Sequence, residues 1–150
     1  VATLTGAVCR ALGNHVAGYF TNTDKMAQLM TEAQKRSREG FWRLPLEQSY
    51  RKLLRSSLAD LKNEGGEPKA ITAALFLEQF VKEGMPWMHC DIGAIITPSA
   101  DDPLYGNPEY KTGIPAMTLI ELFRLLNDLS QWSFQYLIIF SRVRLGRELS

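Results

Sequence analysis

Cysteine is scarce in this sequence: Cys9 and Cys90 are the only two in 150 residues, both in apolar surroundings and far from forming a CxxC pair. That excludes a disulfide framework and fits a reducing compartment. Excess charge is missing as well. Seventeen Lys and Arg stand against sixteen Asp and Glu, for a net charge of +1, which gives no electrostatic basis for nucleic acid or an anionic membrane as a partner. The basic run Lys35-Arg36-Arg38 reads as the solvated face of a helix. No apolar stretch reaches the ~20 residues of a membrane-spanning helix. HExxH and G-x-S-x-G motifs are absent, so zincin and serine-hydrolase chemistry have no support. No charged leader precedes Val1, which begins inside a structured pattern, so the chain reads as incomplete at its N-terminus.

What is present is the composition of a globular domain, 45% hydrophobic and 22% charged, large enough for a proper core. Residues 1–4 read as the end of a buried strand, Thr5 as a helix cap, and Gly6 as a point where the main chain can approach a bound group. A helix of small residues follows and ends at Gly13-Asn14. Residues 15–21 read as a strand. Met26, Leu29, Met30 and Ala33 then mark one buried stripe of a helix, with the methionines as core filler. Residues 41–46 lead from a short strand into a helix that Pro45 opens, with Tyr50, Leu53 and Leu54 facing inward. Residues 70–82 are apolar nearly all round and read as a buried helix. The run 86–93 reads as a strand buried on both faces, ending in Asp91 at its carboxyl end, where α/β sheets place ligands. Residues 97–111 read as a long loop, and a helix follows with Met117, Leu119, Ile120, Leu122, Phe123 and Leu126 inward.

Several of these phrases recur together in one family. TLTGAVCRALGNHVAGYFTN, WRLPL at 42–46, NEGG at 63–66, ITAALFL at 71–77, WMHCDIG at 87–93 and TGIP at 112–115 stand in the order and spacing of the leucine aminopeptidase, or cytosol aminopeptidase, family, and the chain resembles the C-terminal part of its catalytic domain. The resemblance covers residues 1–128; residues 129–150 depart from it as an apolar and basic tail. It implies an α/β fold of three layers, a mixed central sheet with helices on both faces. An isolated piece of such a sheet would carry uncovered apolar surface.

The implied activity is metal-dependent hydrolysis that releases N-terminal, leucine-like residues from peptides, with two divalent ions, Zn or Mn, as cofactors and a homo-hexamer as the assembled form. The family's metal ligands and its NTDAEGRL motif are not in these residues, so no catalytic or metal-binding residue is assigned and the chain alone is expected to be inactive. By resemblance, the Leu4 carbonyl and the Gly6 amide would hold the peptide backbone just after the scissile bond. Thr3, Gly6, Gly93 and Ile96 would line the pocket for the first side chain, and Glu64 would lie by the residue after it. Simple packing at a strand end is the plainer account of the same residues. Glu64 replaces an apolar family residue, and Gly93-Ala94 inverts the family's Ala-Gly. His89 and Asp91 share a strand face, but a hydrogen-bonded core histidine and a capping aspartate explain them better than a metal pair. The rival class is a non-catalytic structural or binding relative of the fold.

Overall fold

The computed structural model describes residues 1–93, 95 and 113–128. Helix α1 (Gly6–Leu12) ends where Gly13 takes a φ of 73° and its amide returns to the Cys9 carbonyl, a conformation that suits a residue without Cβ. Strand β1 (Val16–Thr21) leads to α2 (Asp24–Ser37), where the Thr23 hydroxyl caps the Met26 amide. Strand β2 (Gly40–Arg43), a 3-10 helix (Gln48–Leu54), α3 (Lys69–Glu78), β3 (Met88–Asp91) and α4 (Ala116–Asp128) complete the order.

The sheet runs β2-β1-β3, with β1 parallel to β2 and antiparallel to β3. Ala2 adds a parallel bridge to Asp91 on the outer edge of β3. Being central, β1 is buried at every residue from Ala17 to Thr21, which is why it lacks the polar alternation of a one-faced strand. Tyr19 faces α2, in one core cluster with Ala27, Met30 and Ala33. Gly18 faces α1, with Val8 and Leu12 over it. Helices therefore cover both faces, and the architecture is a mixed α/β sheet in three layers.

One carboxylate joins α2 to α4. Glu39 Oε2 accepts from the Thr118 amide and from the Thr118 hydroxyl, each at 2.7 Å, and that hydroxyl also lies 2.6 Å from Ser37 Oγ. Thr118 is fully buried, so removing its partner leaves polar groups unsatisfied. Glu39→Ala is expected to cost about 1–3 kcal/mol, read as a lower urea midpoint with the earliest loss of amide protection in α4.

Several local expectations give way to tertiary packing. Residues 1–4 are no buried strand: Val1 and Leu4 are exposed, and Ala2 alone pairs. Pro45 opens no helix; the next element starts at Gln48, is 3-10 in type, and is capped by the Glu47 carboxylate on the Ser49 amide. The helix expected over 70–82 stops at Glu78 and buries only Thr72, Ala74 and Leu75, leaving Phe80 exposed beyond it. In α4, Leu122 is inward, whereas Met117, Ile120 and Phe123 are exposed, because α2 covers one side of a helix whose apolar residues extend round two. The loop at 97–111 and the tail at 129–150 lie outside the described residues.

Candidate functional site

The turn between Ala2 and α1 is assembled on a single buried carboxylate. Asp91 ends β3, is 0% exposed and sits opposite Gly18 across the β1–β3 ladder. Its Oδ1 accepts from the Leu4 amide at 3.1 Å and the Gly93 amide at 3.2 Å. Its Oδ2 accepts from the Thr5 amide at 3.1 Å and the Thr5 hydroxyl at 2.7 Å. A buried charge needs such a set of donors to offset its lost hydration. The turn is also strapped along the sheet, since the Ala2 amide donates to the Cys90 carbonyl and the Ala2 carbonyl accepts from the Ile92 amide, both at 3.0 Å.

Gly18 makes this approach possible. A Cβ there would stand 2.9 Å from both Val8 Cγ2 and Leu44 Cδ1, so a larger residue would crowd the side chains packed over the sheet at this point.

Thr3, Leu4 and Gly6 are exposed on the turn, and Gly93 is half-buried beside it. A Cβ at Gly93 would lie 2.8 Å from the Thr5 carbonyl oxygen, so the two backbones are in direct contact. The structure thus brings Leu4 and Gly93 onto one carboxylate, with Thr3 and Gly6 beside them only as chain neighbours of Leu4 and Thr5 on the turn. Among the described residues no hydrogen bond engages the Leu4 carbonyl oxygen or the Gly6 amide. Glu64 is not drawn to this carboxylate; it is exposed and pairs with Lys69 Nζ at 3.4 Å. Ile96 lies outside the described residues.

Thr5 departs from its expected role. It is the residue before α1, but its side chain makes no cap bond to the helix; the hydroxyl is spent on Asp91 instead. His89 departs as well. Its Nε2 is buried without a hydrogen bond, and the ring stacks against Phe20 (centroids 6.1 Å, 11°) and Trp87 (6.3 Å, 17°). Burial pushes its pKa down to about 4, against the opposing pull of the Asp91 charge, so the ring is neutral near pH 7. Cys90 pairs with Tyr19 in the ladder, and burial pushes its thiol up to about 12, which makes it inert.

The residues present do not fit a two-metal centre. Asp91 already accepts from four donors, the His89 ring is flanked by two aromatic rings, and among the described residues no group of three or more His, Cys, Asp or Glu could hold a metal ion. A separate cleft of about 630 Å³ opens at the other end of β1, lined in part by Asn22, Arg43, Gln48, Arg51 and Glu78. Its arginines are engaged, Arg43 with Asp24 and Arg51 with Glu78. No helix among the described residues is long and apolar enough to cross a membrane.

The family model described as cytosol aminopeptidase family, catalytic domain, matches residues 1–120. A probable cytosol aminopeptidase of Synechococcus sp. (strain RCC307) is 46% identical over 122 residues, covering 81% of this chain and 24% of that protein. One from Chlamydia caviae is 45% identical over 121 residues, 79% of this chain and 24% of that protein. Among solved structures, a mutant tomato leucine aminopeptidase superposes with a TM-score of 0.73 at 41% identity, over 81% of this chain and 23% of that one. The bottromycin maturation enzyme BotP in complex with Mn gives 0.75 at 41% identity, over 83% and 28%. The chain spans about a quarter of the length of the relatives it matches.

Proposed function

Because this chain belongs to the cytosol aminopeptidase family, we propose that residues 3–6, with Gly93 and Ile96, form the substrate-holding wall of a leucyl aminopeptidase site. The observation that carries this reading is the turn itself. The Leu4 and Thr5 amides are bound inward to Asp91, while the Leu4 carbonyl and the Gly6 amide stay open to a peptide. Thr3, Gly6, Gly93 and Ile96 line the first side-chain pocket, and burying a leucine-like side chain there contributes roughly 1.5–3 kcal/mol.

The reaction is hydrolysis of the first peptide bond. The chemistry that two divalent ions, Mn or Zn, would supply there is Lewis acidity; none of the residues described in this chain is assigned to hold them. This chain's own share is to hold the peptide backbone in line with that chemistry and to exclude water from the first side chain. The assembled protein is a cytoplasmic homo-hexamer acting on peptides. The 150-residue chain is expected to release no leucine from leucyl p-nitroanilide with Mn added, while a leucyl dipeptide amide at millimolar concentration shifts the amide resonances of Leu4, Gly6 and Gly93. Leucine release, or shifts confined to the Arg43–Arg51 cleft, would sink the reading.

Glu64 favours a second reading, a relative that keeps the fold but has left peptide hydrolysis, since it puts a charge where the family has an apolar residue. Its side chain is 72% exposed, so the charge is well screened. Under the enzyme reading, a panel of leucyl dipeptide amides should show basic second residues favoured over apolar ones by a few-fold, and Glu64→Ile should reverse that order. A flat panel in both proteins counts against any contact between Glu64 and the substrate.

A further inference from the structure

We propose that Asp91 is a positioning residue that turns one edge of Thr5 inward and so presents the Leu4 carbonyl and the Gly6 amide outward, as a pair, to a single residue of the bound peptide. This rests on reading the turn as the peptide-holding wall, and it assigns a cause to that wall's geometry.

Thr5 has φ −132° and ψ 136°, an extended conformation. In extended backbone the N–H and C=O of one residue point to the same side, and the preceding C=O and following N–H point to the other. The Thr5 N–H is directed at Asp91 Oδ2, and the Thr5 carbonyl is the group that a Cβ at Gly93 would strike at 2.8 Å. Both polar groups of Thr5 therefore face the buried carboxylate and Gly93. The Leu4 carbonyl and the Gly6 amide consequently face away from them. An acceptor and a donor flanking one extended residue are what a parallel bridge offers to a single residue of an incoming strand.

Three further contacts set the register. The Thr5 hydroxyl binds Oδ2 at 2.7 Å, the Leu4 amide binds Oδ1 at 3.1 Å, and the Gly93 amide binds the same oxygen at 3.2 Å. The carboxylate thus ties both walls of the first side-chain pocket to one point, residues 3–6 on one side and Gly93 on the other. An asparagine would keep one acceptor oxygen and turn an NH2 group against amide donors, releasing Thr5 to rotate.

The test compares two ligands on the 150-residue chain: leucinamide, which ends before the second residue, and leucylglycinamide, which supplies a second residue with both backbone groups. The unaltered chain is expected to bind the dipeptide about tenfold more tightly, as one or two added hydrogen bonds would give, with the Gly6 amide resonance moving most. Asp91→Asn should abolish that ratio, dipeptide affinity falling about tenfold further than leucinamide affinity, a split that general loosening of the fold would not produce. Thr5→Val, which removes one bond and keeps the carboxylate, should lower the ratio, and Thr5→Ser should restore it; this pair carries the test where Asp91→Asn does not fold. A dipeptide preference kept in Asp91→Asn, or in Thr5→Val where only that pair folds, overturns the role of Asp91 alone. A preference missing from the unaltered chain overturns the wall reading and this proposal together.

Discussion

Gly93→Ala is expected to lower both stability, by about 1–3 kcal/mol, and affinity for a leucyl dipeptide amide, by at least about tenfold. The new methyl would stand 2.8 Å from the Thr5 carbonyl oxygen and 3.3 Å from Asp91 Oδ1. Neither neighbour is the free end of a flexible side chain, so the turn itself must move by roughly half an ångström to reach ordinary contact. Displacements of that size in a binding wall are costly, since positioning is sensitive at about the 1 Å scale. Gly6→Ala makes the contrast. Nothing lies within 4 Å of a Cβ at Gly6, and alanine is the better helix former by up to about 1 kcal/mol, so stability should hold or rise. If the proposed wall holds the peptide, affinity should fall all the same, because the methyl would stand beside the amide assigned to it. Urea denaturation and peptide titration on both variants check the pair; equal effects of the two substitutions on stability would refute the packing argument.

Acid is expected to destabilise the protein through His89 by up to about 3 kcal/mol. In the folded chain burial holds its pKa at about 4, whereas in the unfolded chain it titrates near 6.5. Between those values the unfolded state binds a proton that the folded state refuses. Stability is therefore full above pH 6.5, falls as the pH drops from 6.5 towards 4, and gains no further loss from this group below that. His89→Phe should flatten the decline, since it replaces a ring with an unpartnered buried nitrogen by an apolar one between Phe20 and Trp87. Denaturant midpoints of both proteins at pH 7 and pH 4.5 provide the check, and parallel declines would show that other groups carry the acid sensitivity.

Legibility in the sequence followed the range of the interaction. The strand at Val16–Thr21, the helix at Asp24–Ser37 and the stop at Gly13 rest on local periodicity and on residues suited to element ends, so they could be read directly. The open sides of α3 and α4 could not, because the apolar residues of each helix extend beyond the face that a neighbour covers. Asp91 was visible as an acid at a strand end and as a capping group. Its partners at Leu4 and Thr5 lie more than eighty positions away, and no spacing rule connects them. His89 looked like a hydrogen-bonded core histidine; its aromatic neighbour Phe20 comes from another strand, through the antiparallel register that pairs the two.

By itself the sequence determined the family, through phrases kept in order and spacing, and the α/β class, and it singled out the small-residue turn at residues 3–6 as the candidate for a ligand-binding stretch. Only the tertiary structure decided which way that turn faces. Orientation there depends on the extended conformation of Thr5 and on a carboxylate brought to it by the pairing of β3 with β1 and with Ala2, and contacts between distant strands are set by sheet register rather than by local pattern.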